Sequence, residues 1–180
     1  MKILRLVLVL ALLMPVGALA APKPGSIEAR LQRVEDQLEI QRVLIEYGKF
    51  LDAKDYASYA ALFAKDGEWT GGFGHFTGPA AIQKMLEDKL GKAGPGYINT
   101  SSYHLMSSPL ITVTGDTATA ESRYLFFTAS ADNKPIPTLA GRYVDSFVRE
   151  GGAWKIRRRV THGVIPWRDG NDPNPPPAPR

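Results

Sequence analysis

The stretch Thr117-Ala-Thr-Ala-Glu-Ser-Arg-Tyr-Leu-Phe-Phe-Thr-Ala129 alternates small and large side chains, a pattern that is typical of a β-strand. Comparable stretches follow it, and turn residues separate them. We therefore predict strands over Thr138–Arg149 and Ala153–Val164, and two shorter strands upstream over 97–107 and 109–114. Consecutive strands joined by short turns favour one bent sheet.

Helical patterns come before these strands. Apolar residues at helical spacing predict a long helix from an N-cap at Ser26 to about Ala53, and shorter helices are predicted over 56–63 and 79–90. We expect the long helix to bury its apolar stripe on the concave side of the sheet. The stripe consists of Ile27, Leu31, Val34, Leu38, Val43, Leu44 and Ile45. Helices first and strands afterwards is an α+β order, and a sheet curled over a helix leaves an open pocket.

The segment Gly71-Gly-Phe-Gly-His-Phe-Thr-Gly78 is predicted to be a glycine-rich loop. It lacks the Gly-Lys-Ser/Thr of a phosphate loop and does not match the dinucleotide fingerprint, so it gives no reason to expect a nucleotide. His75 lies in this segment and could contact a substrate as part of a lid.

The N-terminus has the order of a secretory signal peptide. A basic start over 1–5 precedes an apolar run over 6–14, and Ala18-Leu19-Ala20 is a cleavage site of small residues. The apolar run is too short to span a membrane stably, although an uncleaved anchor is the alternative. We predict a signal peptide over 1–20, a linker over 21–25, and a periplasmic or secreted protein with no stable membrane anchor after cleavage.

Composition excludes several classes of protein. The 180 residues include 44% hydrophobic and 22% charged residues and no Cys, which suits one globular domain and excludes disulfides and thiolate metal sites. Without Lys2 and Arg5, 20 basic residues face 18 acidic ones. This small excess gives no reason to expect nucleic acid as a partner. We predict one domain over 26–167 and a disordered, proline-rich tail over 168–180.

Three groups of residues within 27–165 form a recognisable set. They are Glu39-x4-Leu44-x2-Tyr47-x4-Asp52 with Tyr59-Ala-Ala-Leu-Phe63-Ala-x-Asp66-Gly, then Tyr103-His104-x4-Pro109-x-Ile111-x-Val113-x-Gly-Asp116-x-Ala-x-Ala120, and finally Gly141-Arg-Tyr143-x-Asp145-x-Phe147-x-Arg-x2-Gly-x-Trp154-x-Ile156. The set resembles the SnoaL-like branch of the nuclear transport factor 2-like (NTF2-like) superfamily. The resemblance implies a cone-shaped α+β barrel whose N-terminal helices pack in a curved mixed or antiparallel sheet. It also implies a homo-oligomer, often a dimer or trimer, that works without a metal or organic cofactor.

Tyr47 and Asp52 are candidate catalytic residues at the end of the long helix. Five helical steps separate them, a net rotation of roughly 140°, so they do not share one narrow face. From spacing alone, Asp52 could equally be a capping or surface acid. In dehydratases of the resembled family a Tyr and an Asp at this separation lie in the cavity, which implies a catalytic role for both.

His104 is the third candidate catalytic residue. A lone strand His is often a hydrogen-bonded core residue, but the family pattern places a His here opposite the helix acid. Imidazole exchanges a proton near neutral pH, so an Asp–His pair supplies an orienting carboxylate and a proton-transfer group. The three His of the chain lack metal-ligand spacing, and we predict no metal site.

Arg157, Arg158 and Arg159 alternate between the two faces of a predicted strand. The family pattern implies that Arg159 points into the cavity, with Arg158 as the alternative if the strand bulges. His162 could border the mouth. Most aromatic residues are expected in the core, but some must face the cone interior, and we take three of them as substrate contacts. These are Trp69, Phe126 and Tyr143.

The signal peptide and the resemblance together predict an exported, cofactor-independent lyase that acts on a hydroxylated aromatic or polycyclic small molecule. In this scheme His104, oriented by Asp52, moves a proton, Tyr47 binds a substrate oxygen, and Arg159 holds developing negative charge. Loss of water is favoured, and release of formaldehyde would use similar groups. A non-catalytic periplasmic binding module and a steroid-type isomerase are the alternatives, because the superfamily contains many activities.

Overall fold

A computed structural model describes residues 25–166 of the chain. The predicted signal peptide and tail lie outside these residues, and so does Trp167. Of the predicted linker, only Gly25 is described. Within 25–166, no helix combines the length and the apolar character that crossing a membrane would require.

Three helices and six strands follow one another within 25–166. The helices are α1 (Ile27–Asp52), α2 (Tyr56–Ala60) and α3 (Pro79–Leu90). The strands are β1 (Phe63–Gly71), β2 (Gly74–Thr77), β3 (Ser102–Thr114), β4 (Thr117–Ala129), β5 (Pro135–Glu150) and β6 (Ala153–Ile165).

All six strands form one sheet in the order β2-β1-β6-β5-β4-β3. β1 and β6 run parallel, and every other pair of neighbours runs antiparallel, so the sheet is mixed. The sheet is curved and open, and the helices precede most of it in the chain. The predicted α+β fold is confirmed.

The helix boundaries follow local chemistry. Ser26 caps α1 as predicted, because its hydroxyl accepts a hydrogen bond of 3.1 Å from the Ala29 N–H. Asp55 caps α2 in the same way through the Ser58 N–H, also at 3.1 Å. Pro79 stands in the first turn of α3, where its missing N–H and fixed φ are tolerated.

Two strand predictions need correction. The predicted loop over 71–78 contains β2, which forms a hairpin with β1 that pairs Gly71 with Gly74. The predicted break after Ser107 is a register irregularity inside one strand, β3, which continues through Pro109. Because β3 is an edge strand, the N–H that proline lacks is not needed for a hydrogen bond across the sheet.

α1 buries a different face from the one predicted. Its inward face consists of Ile40, Val43, Leu44 and Tyr47, each at most 6% exposed. The remaining members of the predicted stripe, Ile27, Leu31, Val34, Leu38 and Ile45, are each more than half exposed. The prediction that α1 buries this stripe is therefore wrong for five of its seven residues.

Asp36 explains which face of α1 turns inward. Its carboxylate accepts hydrogen bonds from Arg149 (2.5 Å) and from the indole of Trp154 (3.2 Å), which fixes the rotation of the helix against β5 and β6. Burial alone would raise the pKa of Asp36, but these hydrogen bonds outweigh it and hold the pKa below its ordinary value. A buried carboxylate with charged partners thus overrides the apolar periodicity around it.

Candidate active site

A cavity of about 770 Å³ lies between the helices and the sheet, with residues of all three helices and of β1, β3, β4, β5 and β6 in its wall. This volume is in the range of small-molecule sites. Six of the seven tyrosines of the chain line it: Tyr47, Tyr56, Tyr59, Tyr97, Tyr124 and Tyr143. The wall is therefore aromatic but contains many hydroxyl groups.

Asp52 and His104 meet in this wall. Asp52 Oδ1 lies 2.5 Å from His104 Nδ1, and Asp52 Oδ2 accepts a hydrogen bond of 2.8 Å from the His104 backbone N–H. Both side chains are 16% exposed. The end of α1 and the start of β3 are thus joined by one carboxylate that uses both of its oxygens on one histidine.

This contact determines which nitrogen of the neutral imidazole carries the proton. An ionised carboxylate can only accept hydrogen bonds, so the proton of neutral His104 resides on Nδ1 and Nε2 remains an acceptor. The ring of Phe126 lies 4.5 Å from the imidazole, centroid to centroid, and limits its rotation. His104 is therefore arranged as a proton acceptor, with Asp52 placed to stabilise the imidazolium that forms.

Asn99 supports the same corner of the cavity. Its amide nitrogen donates to the Asp52 carbonyl oxygen at 3.0 Å, and its side-chain oxygen accepts from the Ser101 and Ser102 N–H groups, both at 3.1 Å. The segment that leads into β3 is thereby tied to the last residue of α1. Sequence reasoning did not find Asn99, because its role depends on a contact between distant segments.

Tyr47 and Trp69 form a second polar pair in the wall. The Trp69 indole N–H donates to the Tyr47 hydroxyl at 3.1 Å, and both side chains are buried. The Tyr47 hydroxyl accepts this bond and can still donate its own proton, for instance to an oxygen of a bound ligand. Both residues were predicted site residues, and both line the cavity.

Tyr59 and Tyr143 keep their protons. Burial raises the pKa of both hydroxyls well above the ordinary value, and the neighbouring Tyr47 hydroxyl adds to the effect. Tyr143 stacks on Tyr124 with ring centroids 4.5 Å apart. Two of the predicted substrate contacts, Tyr143 and Phe126, thus lie in a neutral, aromatic part of the wall.

Arg159 does not line the cavity, which corrects the expectation that it contacts substrate. It is fully buried and forms two hydrogen bonds of 2.7 Å with Asp145. Its guanidinium lies 3.7 Å from the ring centroid of Tyr47 and 4.4 Å from that of Tyr143, behind these rings. Burial opposes the charge, but Asp145 outweighs burial and raises the pKa of Arg159 above its ordinary value.

The remaining basic candidates lie elsewhere. Arg158 is exposed and lies 3.7 Å from Glu68, so Arg159 is the inward member of the pair. His75 is exposed on β2 beside Thr70 and does not reach the cavity. His162 is buried but is not part of the wall, whereas its neighbours Thr161 and Gly163 are. These positions therefore do not support a lid role for His75 or a role at the cavity mouth for His162.

Lys54 is a site residue that sequence reasoning missed. Among the described residues that line the cavity, it is the only lysine or arginine. Its φ of 54° is left-handed, and its ammonium group donates to the Leu90 carbonyl oxygen at 2.7 Å and lies 5.3 Å from the ring centroid of Tyr97. The turn after α1 places it there, and nothing in the local sequence indicates such a turn at a lysine.

Within the described part of the chain, no three His, Asp or Glu side chains come together in a way that could hold a metal ion. The polar side-chain groups of the cavity are thus the Asp52–His104 pair, Lys54, Asn99, the Trp69 indole N–H and the hydroxyls of serine, threonine and tyrosine.

A curved, mixed sheet packed against helices is the NTF2-like fold, and comparison with known proteins agrees. The sequence profile of the SnoaL-like domain family matches residues 32–160, and the chain belongs to this family. An uncharacterized protein of Mycobacterium tuberculosis is 29% identical over 142 residues, which cover 71% of this chain and 84% of that protein.

Solved structures give the same fold. An NTF2-like protein with a cystatin-like fold from Novosphingobium aromaticivorans has a TM-score of 0.67 and 26% identity, over 80% of this chain and 89% of that one. A protein of the same organism, provisionally named a scytalone dehydratase, has a TM-score of 0.59 and 29% identity, over 75% and 87% of the two chains. The predicted NTF2-like fold and SnoaL-like resemblance are confirmed.

Proposed function

We propose that the protein is a cofactor-independent lyase that removes water from a hydroxylated aromatic or polycyclic small molecule. The observation that carries the proposal is the Asp52–His104 pair in the wall of a large aromatic cavity. A histidine with one nitrogen held by a carboxylate and the other free to accept is the arrangement that general acid–base catalysis requires.

The proposed reaction uses His104 twice. Its Nε2 takes a proton from the carbon next to the one that bears the hydroxyl group, and the released electron pair forms the new double bond. The carbon–oxygen bond breaks, and the imidazolium returns the proton to the departing hydroxide, which leaves as water. Asp52 stabilises the imidazolium between the two steps, so both protons and electrons balance without an added reagent.

Tyr47 has the supporting role in this proposal. Where a carbonyl group stands next to the carbon that loses the proton, the electron pair first moves onto the carbonyl oxygen and returns to form the double bond as the carbon–oxygen bond breaks, so a hydrogen-bond donor placed in advance stabilises that oxygen. The Tyr47 hydroxyl accepts a hydrogen bond from Trp69 and its O–H can still donate, which suits that task. Arg159, behind the Tyr47 ring, is a positioning residue and not a direct contact.

The aromatic wall and the relatives support the substrate class. Rings of Trp69, Phe126, Tyr124 and Tyr143 face the cavity and can stack on a flat ligand. A relative at 29% identity bears the provisional name scytalone dehydratase, which agrees with loss of water from a hydroxylated ring compound.

The decisive experiment incubates the protein with a panel of aromatic and polycyclic alcohols and measures product masses. We expect loss of one water with the wild type and with His75→Ala, whose histidine lies outside the cavity, and a loss slower by on the order of 10²-fold or more with His104→Ala. Loss of formaldehyde would replace dehydration by carbon–carbon cleavage. Tight binding without any mass change would contradict the lyase, and it would favour an isomerase if the bound compound elutes differently afterwards and a binding module if it does not.

We also propose that the protein acts in the periplasm or outside the cell. The basic start, apolar run and small-residue cleavage site of residues 1–20 support this location. Intact mass of protein from its native host is expected to show cleavage after Ala20 or Ala21. A cellular protein that still begins at Met1 would contradict export.

A further inference from the structure

α1 carries two apolar faces on opposite sides. The inward face packs on the sheet, as described above. The other face is here called the outward stripe: Ile27 (76% exposed), Leu31 (55%), Val34 (51%), Leu38 (60%) and Ile45 (56%). At about 100° per residue, the outward stripe is centred roughly 180° from the inward residues, so the body of the domain cannot cover it.

The spacing of the outward stripe is that of a coiled-coil seam. Its residues are separated by alternating steps of four and three along the sequence, with Gln41 occupying the one polar step between Leu38 and Ile45. Apolar residues that alternate in this way occupy the a and d positions of a heptad repeat. Ile27 and Val34 then take d positions, and Leu31, Leu38 and Ile45 take a positions.

We propose that the outward stripes of copies of this chain pack together as a parallel coiled coil of three or four strands, because leucine at a positions with isoleucine or valine at d positions favours more than two strands. Charge complementarity favours further copies of the chain in this orientation. Arg30 occupies a g position and Glu35 the e position five residues later, so each Arg30 would face Glu35 of a neighbouring copy. Neither residue has an ion-pair partner among residues 25–166.

The geometry permits this packing. The first half of α1 is exposed on nearly all sides, since Asp36 is its first buried residue. Because the inward face is opposite the stripe, the domains would lie on the outside of the coiled coil and would not collide across the seam.

The flanks of the stripe argue against a lipid surface. A helix that lies on a membrane has a broad apolar face bordered mainly by basic residues. Here the stripe is narrow, and both acidic and basic side chains border it, namely Glu28, Arg30, Glu35 and Arg42. This is the pattern of a seam between helices.

The absence of cysteine gives a direct test. The test uses the full chain, produced and processed by its native host. Val34→Cys places one thiol at a d position, where neighbouring copies of a parallel coiled coil meet. We expect a disulfide-linked dimer under mild oxidation. Arg33→Cys, exposed on a different side of α1, is the matched control and should give little dimer. Equal cross-linking of the two variants, or none, would overturn the parallel packing.

Sedimentation of the wild type measures the same association without a cross-link. We expect three or four times the monomer mass, and the double change Leu31→Asp with Leu38→Asp should raise the dissociation constant by on the order of 100-fold or more, because a carboxylate replaces each apolar contact. Arg33→Asp is the control and should keep the mass of the wild type. The changed leucines are exposed in the single chain, so the circular dichroism spectrum of each variant should still be that of a folded domain.

Three results of these measurements would overturn the proposal. They are a wild-type monomer, a wild-type dimer, and an oligomer that the two Leu→Asp changes leave intact. A monomer that binds anionic phospholipid vesicles through the stripe would assign the stripe to a membrane surface instead. None of these outcomes depends on the lyase activity.

Discussion

Two of the aspartate-centred pairs in the described part of the chain differ in their access to the cavity. Asp52 and His104 are each 16% exposed and lie in the cavity wall. Asp145 and Arg159 are 0% exposed and lie one layer behind it, covered by the rings of Tyr47 and Tyr143. In both pairs the aspartate uses both of its oxygens.

The comparison separates a proton-transfer role from a supporting role. His104 can gain and lose a proton within reach of a ligand, so its pair can take part in chemistry. Arg159 holds its proton permanently and touches no open space, so its pair can only hold the layer of tyrosines in place. Four experiments test this distinction.

Asp145→Ala should have the largest effect, and it should act on stability. It leaves the buried Arg159 without its partner, so we expect the free energy of unfolding in urea to fall by about 3–5 kcal/mol. Asp66→Ala, which removes the exposed partner of Arg157, is the control and should cost less than about 1 kcal/mol. If Asp145→Ala lowers the free energy of unfolding no more than Asp66→Ala does, the buried Asp145–Arg159 pair does not stabilise the fold.

Asp52→Asn and His104→Ala should lower turnover by on the order of 10²-fold or more, because general acid–base assistance is lost. The double variant should be little worse than either single one, since the two residues act as a unit. Asp55→Asn is the control, because asparagine caps α2 as well as aspartate does. Losses that multiply in the double variant would mean two independent groups, and unchanged turnover would remove His104 from the mechanism.

Alkaline pH tests whether the layer of tyrosines in the cavity wall excludes water. Burial raises the pKa of Tyr59 and Tyr143 in the folded state, so only the unfolded chain releases these protons just above pH 10. Stability should therefore be intact below about pH 10 and then fall by about 1.4 kcal/mol per pH unit for each tyrosine. Urea unfolding between about pH 9 and 11 measures this slope. Tyr59→Phe should flatten it, and an unchanged slope would contradict the exclusion of water.

Lys54→Met should have the smallest effect. Lys54 adds a positive charge to the wall, so for a substrate with a carboxylate or phenolate we expect KM to rise about fivefold with kcat unchanged, the scale of a partly exposed ion pair. Lys84→Met, on the exposed face of α3, is the control. A fall in kcat without a change in KM would place Lys54 in the chemistry itself.

Much of the fold could be predicted from local pattern. β4 has the predicted bounds, and Ser26, Asp55 and Pro79 begin their helices as expected, because capping and alternation depend on nearby residues. β2 was missed because a glycine-rich segment is typical of a loop, and only its pairing with β1 makes it a strand. The prediction of the inward face of α1 was wrong because the buried contacts of Asp36, a polar residue, determine the rotation of the helix.

The candidate site was predictable only in part. The resemblance placed Tyr47, Asp52 and His104, and the expectation that some aromatic residues face the interior added Trp69, Phe126 and Tyr143. All six line the cavity. Their roles in catalysis and binding stay predictions. Arg159 has the predicted inward direction, but strand parity does not reveal that Tyr47 and Tyr143 cover it. Lys54 and Asn99 depend on loop conformations that arise when distant segments meet, so no local signal marks them.

β1 and β6 pair in parallel, and along the chain they are the first and the last of the six strands of the sheet. Such a contact closes a long loop of chain, and the entropy lost in closing it slows folding. Trp69 on β1 and Thr161 on β6 line the same cavity, so the binding site cannot exist until the C-terminal strand has docked. A ligand of this cavity therefore recognises only the completed fold, and by mass action it will raise the melting temperature of that fold.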